Sequence, residues 1–425
     1  MSPLPTIAAG SAMQGSMAPP IAAPPAIAPD LLRAWGDLAQ GNWPVEAGTA
    51  WLEAEWARIT PRSRLHVRPG SAAVSWLLVD GGEERAGFGA YELLLDAAAE
   101  DALQDAGSSD AADWDRLAQE RARGAGLRQI RTATITTTAA YFPGVIWDRS
   151  LPPSEQRQAI RGAIEHVLAD ARASGASVLA VANVPEGPPF DLLRDELARL
   201  GLAQVACAPD SALPIPSGGL DEYLALLPPR YRQVVRREMR VFAGFIDRVA
   251  VYDAARLRAR DLLELLRLRY GKYGHATHTA SLMDRLVRVS AIDGVRVVVV
   301  ERAGKAIGFA ALVLDAQGRR LIPRLSACID NDAFVYFNMI FYELIRLGSE
   351  WRFKELALGT TAYRAKLLRG ARLRPLSNFS SALDGCMAAP LRAAMVYRNE
   401  LERARITGLM PLMHTLDGGS ARTTT

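Results

Sequence analysis

Cysteine, histidine and lysine are all scarce in this chain. Its three cysteines, Cys207, Cys328 and Cys386, are spread over 425 residues in no CxxC or metal-ligand spacing. That excludes a disulfide scaffold and a structural zinc site, and it makes the reducing cytoplasm the expected address. Five histidines supply one close pair, His275 and His278, with no further ligand near their i, i+3 spacing. They read as an exposed polar loop, and no metal is expected. No apolar run approaches the roughly 20 residues of a bilayer-spanning helix, which argues against an integral membrane protein. The opening residues lack the basic region and apolar core of a secretory signal. Also missing are HExxH, GxxxxGK(S/T), GxSxG and a convincing GxGxxG, so metalloprotease, P-loop and α/β-hydrolase chemistry have no support. Only Lys272, Lys305, Lys354 and Lys366 among the 50 basic residues are lysine. The arginine excess reads as the imprint of a GC-rich bacterial coding sequence, so arginine number alone does not suggest nucleic acid.

What is present is a globular composition: 49% hydrophobic, 23% charged, mean hydropathy +0.03. The length is about twice that of a typical domain, so two cores are expected. Residues 1–29 carry no charge and are rich in proline and alanine, which predicts a disordered tail. Charge then divides. Residues 30–219 hold 26 acidic and 17 basic side chains, whereas residues 220–425 hold 20 acidic and 33 basic. The second half is therefore suited to an anionic ligand or partner, or to the acidic half itself.

Patterning predicts strands at 294–302, 306–314, 320–328, 353–358 and 373–383 in the second half. Helices are expected at 334–349 and around Tyr363–Arg369. The first half repeats this order loosely, with strands at 72–80, 85–93, 128–136 and 177–184 and helices at 154–175 and 190–201. Between the halves, Pro228-Pro229 ends one helix and begins another, since proline is tolerated in a helix's first turn. That second helix carries five arginines, with Arg230, Arg237 and Arg240 towards one side and Val234, Val235 and Phe242 helping to form the apolar side.

The runs LDEYLALLPPRYRQVVRREMRVF, LLRLRYGKYG, VVVVERAGKAIGFAALVL and ELALGTTAYRAKLLRGARLRP resemble the Fem-like branch of the GNAT acyltransferases, over about 220–376. The resemblance is most specific at Gly359, Lys366 and Gly370. It implies an α/β (α+β) fold of two tandem GNAT-like domains, 30–215 and 216–425, each a mixed central sheet flanked by helices. Acetyl-CoA enzymes of the superfamily place a Gly-rich loop after the fourth strand. Here that place reads ACIDNDAFVYFN, with Asp330 and Asp332, which would repel a pyrophosphate.

The activity implied is N-acyl transfer: an acyl or aminoacyl group passes from an activated ester or thioester to the amine of a small molecule, without a covalent enzyme intermediate. In the resembling family the lysine matching Lys366 sits near the donor, where a fixed cation stabilises an oxyanion or holds phosphate. Tyr342 and Asn338, i and i+4 on one helix, are expected with it at the catalytic cleft. Arg230, Arg237, Tyr363, Arg369, Gly359 and Gly370 are expected to bind the donor. No tightly bound cofactor is implied. The donor is a co-substrate: acyl-CoA, a carrier-protein thioester or, as in Fem-type enzymes, aminoacyl-tRNA. The basic half suits an acidic carrier protein or tRNA; DNA and membrane are not expected partners. An inactive GNAT-like binding module is the non-enzymatic alternative, against which the Gly359–Lys366–Gly370 arrangement speaks.

Overall fold

Four consecutive valines at 297–300 report how the central sheet is covered. Side chains alternate faces along a strand, and Val297 and Val299 enter one core while Val298 and Val300 enter another. A strand that is apolar on both faces implies a sheet covered on both sides. The computed structural model bears this out and describes residues 27–40, 43–59, 63–67, 72–79, 132–135, 142–272, 279–329, 333–360 and 362–417. The expected strand 85–93, most of the proline-rich tail, His275, His278, Asp330 and Asp332 lie outside the described residues.

The first half contains helices α1 (Pro29–Ala39) and α2 (Thr49–Ile59), then strands β1 (Ser63–Val67), β2 (Ala73–Val79), β3 (Thr132–Ile135) and β4 (Val145–Trp147). Helix α3 (Pro153–Ala173), β5 (Val178–Pro185), α4 (Asp191–Arg199) and β6 (Ala203–Pro214) complete it. The second half opens with α5 (Gly219–Leu226), α6 (Pro229–Ala243), β7 (Arg248–Asp253), α7 (Arg260–Lys272) and α8 (Thr279–Ser290). A meander follows: β8 (Val295–Arg302), β9 (Lys305–Asp315) and β10 (Arg320–Cys328). Helix α9 is composite, with an α-turn at Val335–Phe337, a π-turn at Asn338–Tyr342 and a regular segment at Glu343–Glu350. The chain continues through β11 (Glu355–Ala357), α10 (Tyr363–Leu367), β12 (Arg372–Ala382) and α11 (Ala388–Asp417). Pro29 starts α1 and Ile27 packs against the core, so order begins before the expected end of the tail at residue 29.

All twelve described strands belong to one sheet, ordered β1-β2-β3-β5-β12-β6-β11-β10-β9-β8-β7, with β4 on β2. From the central β12–β6 pair outwards, each side has the same sequence of directions: antiparallel, parallel, antiparallel, antiparallel. The repeated order of the two halves is thus visible as a pseudo-twofold of the sheet. The expected division at residue 215 is corrected in one respect, because no break in the sheet occurs there. Strand β12 lies between β5 and β6 of the first half, β6 lies between β12 and β11, and Ile215 N–H donates to Lys354 O at 2.8 Å. Each half therefore completes its sheet with the last strand of the other.

Helices α1, α2, α3, α4, α7 and α8 contribute to the core on one face of the sheet, and α5, α6 and α9 to that on the other. A largely buried ion-pair cluster joins the halves within the first core: Arg320 of β10 meets Asp315 at 2.7 Å and Glu46 at 2.6 Å. No described helix is long and apolar enough to cross a membrane.

Candidate functional site: the α6–α9–α10 face

Strands β10 and β11 are parallel but share only two register pairs, Arg320↔Glu355 and Leu321↔Leu356, although β10 runs on to Cys328. The pairing opens towards the carboxyl ends. The chain leaves each strand through a non-glycine residue in the left-handed region, Phe334 (φ 57°) before α9 and Ala362 (φ 48°) before α10. Such backbone is costly outside glycine and gathers at sites where geometry is enforced.

Lys366 is carried by α10, just past Ala362. Its side chain is buried, and Nζ donates to the carbonyls of Leu358 (2.9 Å), Gly359 (2.7 Å) and Thr360 (3.0 Å). An ammonium has three donors, and all three are used. Burial pushes its pKa down to about 8, opposed by the Asp210 carboxylate. Asp210 is itself held above the usual carboxylate range by burial, against the pull of Ser211 N–H at 2.7 Å. Gly359 adopts φ 72° and its carbonyl also accepts from Ser211 Oγ. Tyr363 is anchored by a hydrogen bond to Pro209 O at 2.9 Å. Lys366, Gly359 and Tyr363 thus converge on the loop after β11. Where a lysine that stabilises a donor oxyanion or holds phosphate is expected, Lys366 directs all three donors at its own backbone.

A second assembly gathers around Arg369, which is buried just beyond α10. Its guanidinium grips both carboxylate oxygens of Glu238 at 2.7 Å, donates from Nε to Tyr342 Oη at 2.9 Å, and stacks 3.6 Å from the centroid of Phe337. Tyr342 donates to Glu238, and Tyr223 of α5 donates to Arg369 O at 2.9 Å. Asn338 Nδ2 donates to Phe334 O (3.0 Å) and Glu238 O (3.3 Å). Burial pushes the Tyr342 phenol well above its usual range, although Arg369 pulls the other way. The expected role of Tyr342 and Asn338 as catalytic groups facing a cleft is corrected for the same reason: both side chains are buried and tie α6 to the π-turn of α9. Gly370 (φ 84°) turns the chain into β12, where an added Cβ would approach Leu227 at 3.3 Å.

A cavity of about 320 Å³ opens between α6 and the outer side of α10. Arg230 and Arg364 are exposed residues of its lining, Val234, Val235 and Leu368 are apolar lining residues, and Glu238 and Arg369 also line it. Arg230 and Arg369, both expected to bind donor, meet here. Arg237 does not line this cavity and lies on the exposed face of α6. Glu238 was not anticipated from sequence. Its signal was there: it is a lone carboxylate on the stripe Val235–Glu238–Phe242, all three buried. A charge on an apolar stripe requires a buried partner. No group of three or more potential metal ligands occurs among the described residues.

No protein family and no curated protein sequence matches the chain. Solved structures do. FemX is 12% identical with a TM-score of 0.52, over 83% of this chain and 96% of that one. The C-terminal domain of a putative lysylphosphatidylglycerol synthetase from Agrobacterium fabrum is 10% identical with a TM-score of 0.50, over 88% and 95%. A tandem GNAT protein from the clavulanic acid biosynthesis pathway is 10% identical with a TM-score of 0.41, over 84% and 95%. At such identities the likeness is one of architecture: the chain shares the fold of FemX and of the lysylphosphatidylglycerol synthetase domain.

Proposed function

We propose that the protein is an amide-forming N-acyltransferase that moves an acyl or aminoacyl group from an activated ester or thioester to the amine of a small molecule. The observation that carries this reading is the unzipped parallel pair β10/β11, whose two exits both pass through strained left-handed residues within a Fem-like GNAT fold. A gap between strands presents backbone groups that the sheet itself does not use, which suits the extended arm of an acyl donor. The amine nitrogen attacks the carbonyl carbon, the C–N bond forms, the bond to the leaving sulfur or oxygen breaks, and the nitrogen's proton ends on the leaving group. Holding the two reactants together supplies most of the acceleration in such a direct transfer.

Within this reading Lys366 is a positioning residue. Its ammonium gathers three carbonyls of the loop after β11 and fixes that loop beside the gap. Gly359, Tyr363 and Gly370 shape the same backbone, whereas the exposed Arg230 and Arg237 supply positive charge for the donor's anionic portion, and Arg369, neutralised by Glu238, holds the cavity wall. Tyr342 accepts from Arg369, and Asn338 holds the backbone of its partner Glu238.

The test is transfer itself. The purified full chain is incubated with acyl-CoA, acylated carrier protein or aminoacyl-tRNA and a panel of primary amines, and amide formation is followed by mass spectrometry. Saturable transfer from one donor supports the reading, and no amide from any of the three overturns it. With an active donor, Arg230→Glu with Arg237→Glu should raise donor KM and flatten its salt dependence, since fewer cationic contacts remain to be screened.

A further inference from the structure

Several arginines elsewhere on the surface of this protein are held in ion pairs. Arg157, Arg161 and Arg199 surround Glu196, Arg248 holds Glu301, Arg256 holds Asp261, and Arg346 meets both Glu343 and Glu350. Helix α6 gathers arginines that are not held in this way. Arg230, Arg236, Arg237 and Arg240 are all exposed, and their guanidinium groups form no ion pair among the described residues. Apolar side chains are exposed between and beside them: Val234 at 49%, Val241 at 40% and, at the end of α5, Leu226 at 67%. The buried side of α6 is fixed by Val235, Glu238 and Phe242, so this outward mixture is held in place. Its N-terminal end adjoins the cavity lined by Arg230, Val234 and Arg364.

We infer that this face docks an acidic helical carrier protein that delivers the acyl group as a thioester on a phosphate-linked arm. The inference rests on the acyl-transfer reading and names the donor within it. The chemistry of the face separates the candidates. Four unpaired guanidiniums seek carboxylates or phosphates, and bidentate pairing suits both. The interleaved valines and leucine seek aliphatic carbon, which an acidic amphipathic helix offers and a sugar–phosphate backbone does not. Stacking platforms for bases would be aromatic; the exposed apolar side chains of α6 are valines, and its one aromatic at the cavity, Tyr231, is half-buried. A bilayer would demand a broader apolar surface, because interfacial binding scales with the apolar area buried. The adjoining cavity admits a slender arm but not a folded domain. Arg230 and Arg364 are positioned to meet the arm's phosphate. At the reacting end, the amine forms the C–N bond, the C–S bond breaks, and the arm leaves as a free thiol carrying the proton from nitrogen.

The test uses the full chain and a fluorescently labelled, acylated fatty-acid-synthesis carrier protein, with binding read by anisotropy. Saturable binding is expected, weakened at least tenfold by Arg236→Glu with Arg240→Glu and weakened by added salt. Circular dichroism and the unfolding midpoint confirm that the exposed double variant still folds, and the milder Arg236→Ala with Arg240→Ala should weaken binding in the same direction. Absence of saturable binding, or equal binding by wild type and both variants, overturns the inference. So does arginine-dependent binding of an RNA hairpin or of phosphatidylglycerol vesicles when the carrier does not bind. Amide formation measured in parallel keeps the two readings apart. Carrier binding without transfer from any donor removes the acyltransferase reading alone, and transfer from acyl-CoA without carrier binding removes the docking inference alone.

Discussion

Single residues in this protein show how a charge can be committed to architecture. Lys366 titrates at about 8 against an ordinary 10.5 because burial penalises the ammonium. A base whose folded value is depressed makes the folded state bind fewer protons than the unfolded state between the two values, so stability rises with pH across that window. Relative to Lys366→Met, wild type should therefore gain on the order of 2–3 kcal/mol between pH 7 and pH 10 in urea unfolding. Parallel pH profiles for the two proteins would show that this lysine titrates normally. The same titration bears on activity. A neutral amine keeps two of the three donors, so the loop loses one tether, and turnover should fall as pH rises through about 8. Lys366→Arg should not restore the loop, because a planar fork does not fit a cage built for a compact ammonium. Glu238 supplies the complementary case. Removing it leaves Arg369 buried and uncompensated, so Glu238→Ala should cost about 3–5 kcal/mol. Combined with Arg369→Met, the loss should fall clearly short of the sum of the single losses, which a double-mutant cycle reads directly. The sequence pointed to Lys366, Arg369, Tyr342 and Asn338, but not to what they do. Residue type and spacing place a side chain near a loop or on a helix. For Arg369 and Tyr342 the decisive partner, Glu238, lies more than 100 residues away in sequence.

Whole elements were legible in proportion to how locally they are determined. Strand β10 was expected at 320–328 and occupies those residues, and α3 was expected at 154–175 and spans Pro153–Ala173. Both have strong periodicity and clear turns. Strand β6 was not anticipated although it lies near the centre of the sheet. Pro209 weakens its signal, since proline removes a ladder donor. The structure accommodates it beside a register shift in β12, between Arg374 and Leu376, where Tyr363 takes the Pro209 carbonyl. Helix α11 was also missed, being weakly amphipathic and interrupted by proline near both ends. The exchange of β6 and β12 was beyond reach, because strand order is set by long-range pairing that no local pattern encodes. It makes a definite prediction. A chain truncated after residue 370 loses β12 and should also destabilise β5 in the first half, seen as faster amide hydrogen exchange across 178–185 than in the full chain. Unchanged protection there would mean that β5 stands without β12.

At the scale of the molecule, two halves of opposite net charge share one sheet, and the Arg320–Asp315–Glu46 cluster ties them on one face. Sharing strands removes the usual independence of tandem units. Heat or denaturant should therefore unfold the described cores together, with fluorescence and far-ultraviolet circular dichroism giving coincident midpoints. Two separated transitions would show that the halves still melt alone. The interleaving also governs how the chain can be made. Strand β6 leaves the ribosome roughly 160 residues before β12. At ~5–20 residues per second, β5 and β6 then wait on the order of 10–30 s for the strand that belongs between them. Through that interval the nascent first half presents a vacant slot with two unpaired edges, the kind of surface that recruits stray strands. The pace of translation and the chaperones that meet the emerging chain thus become part of this protein's folding problem, before any substrate is bound.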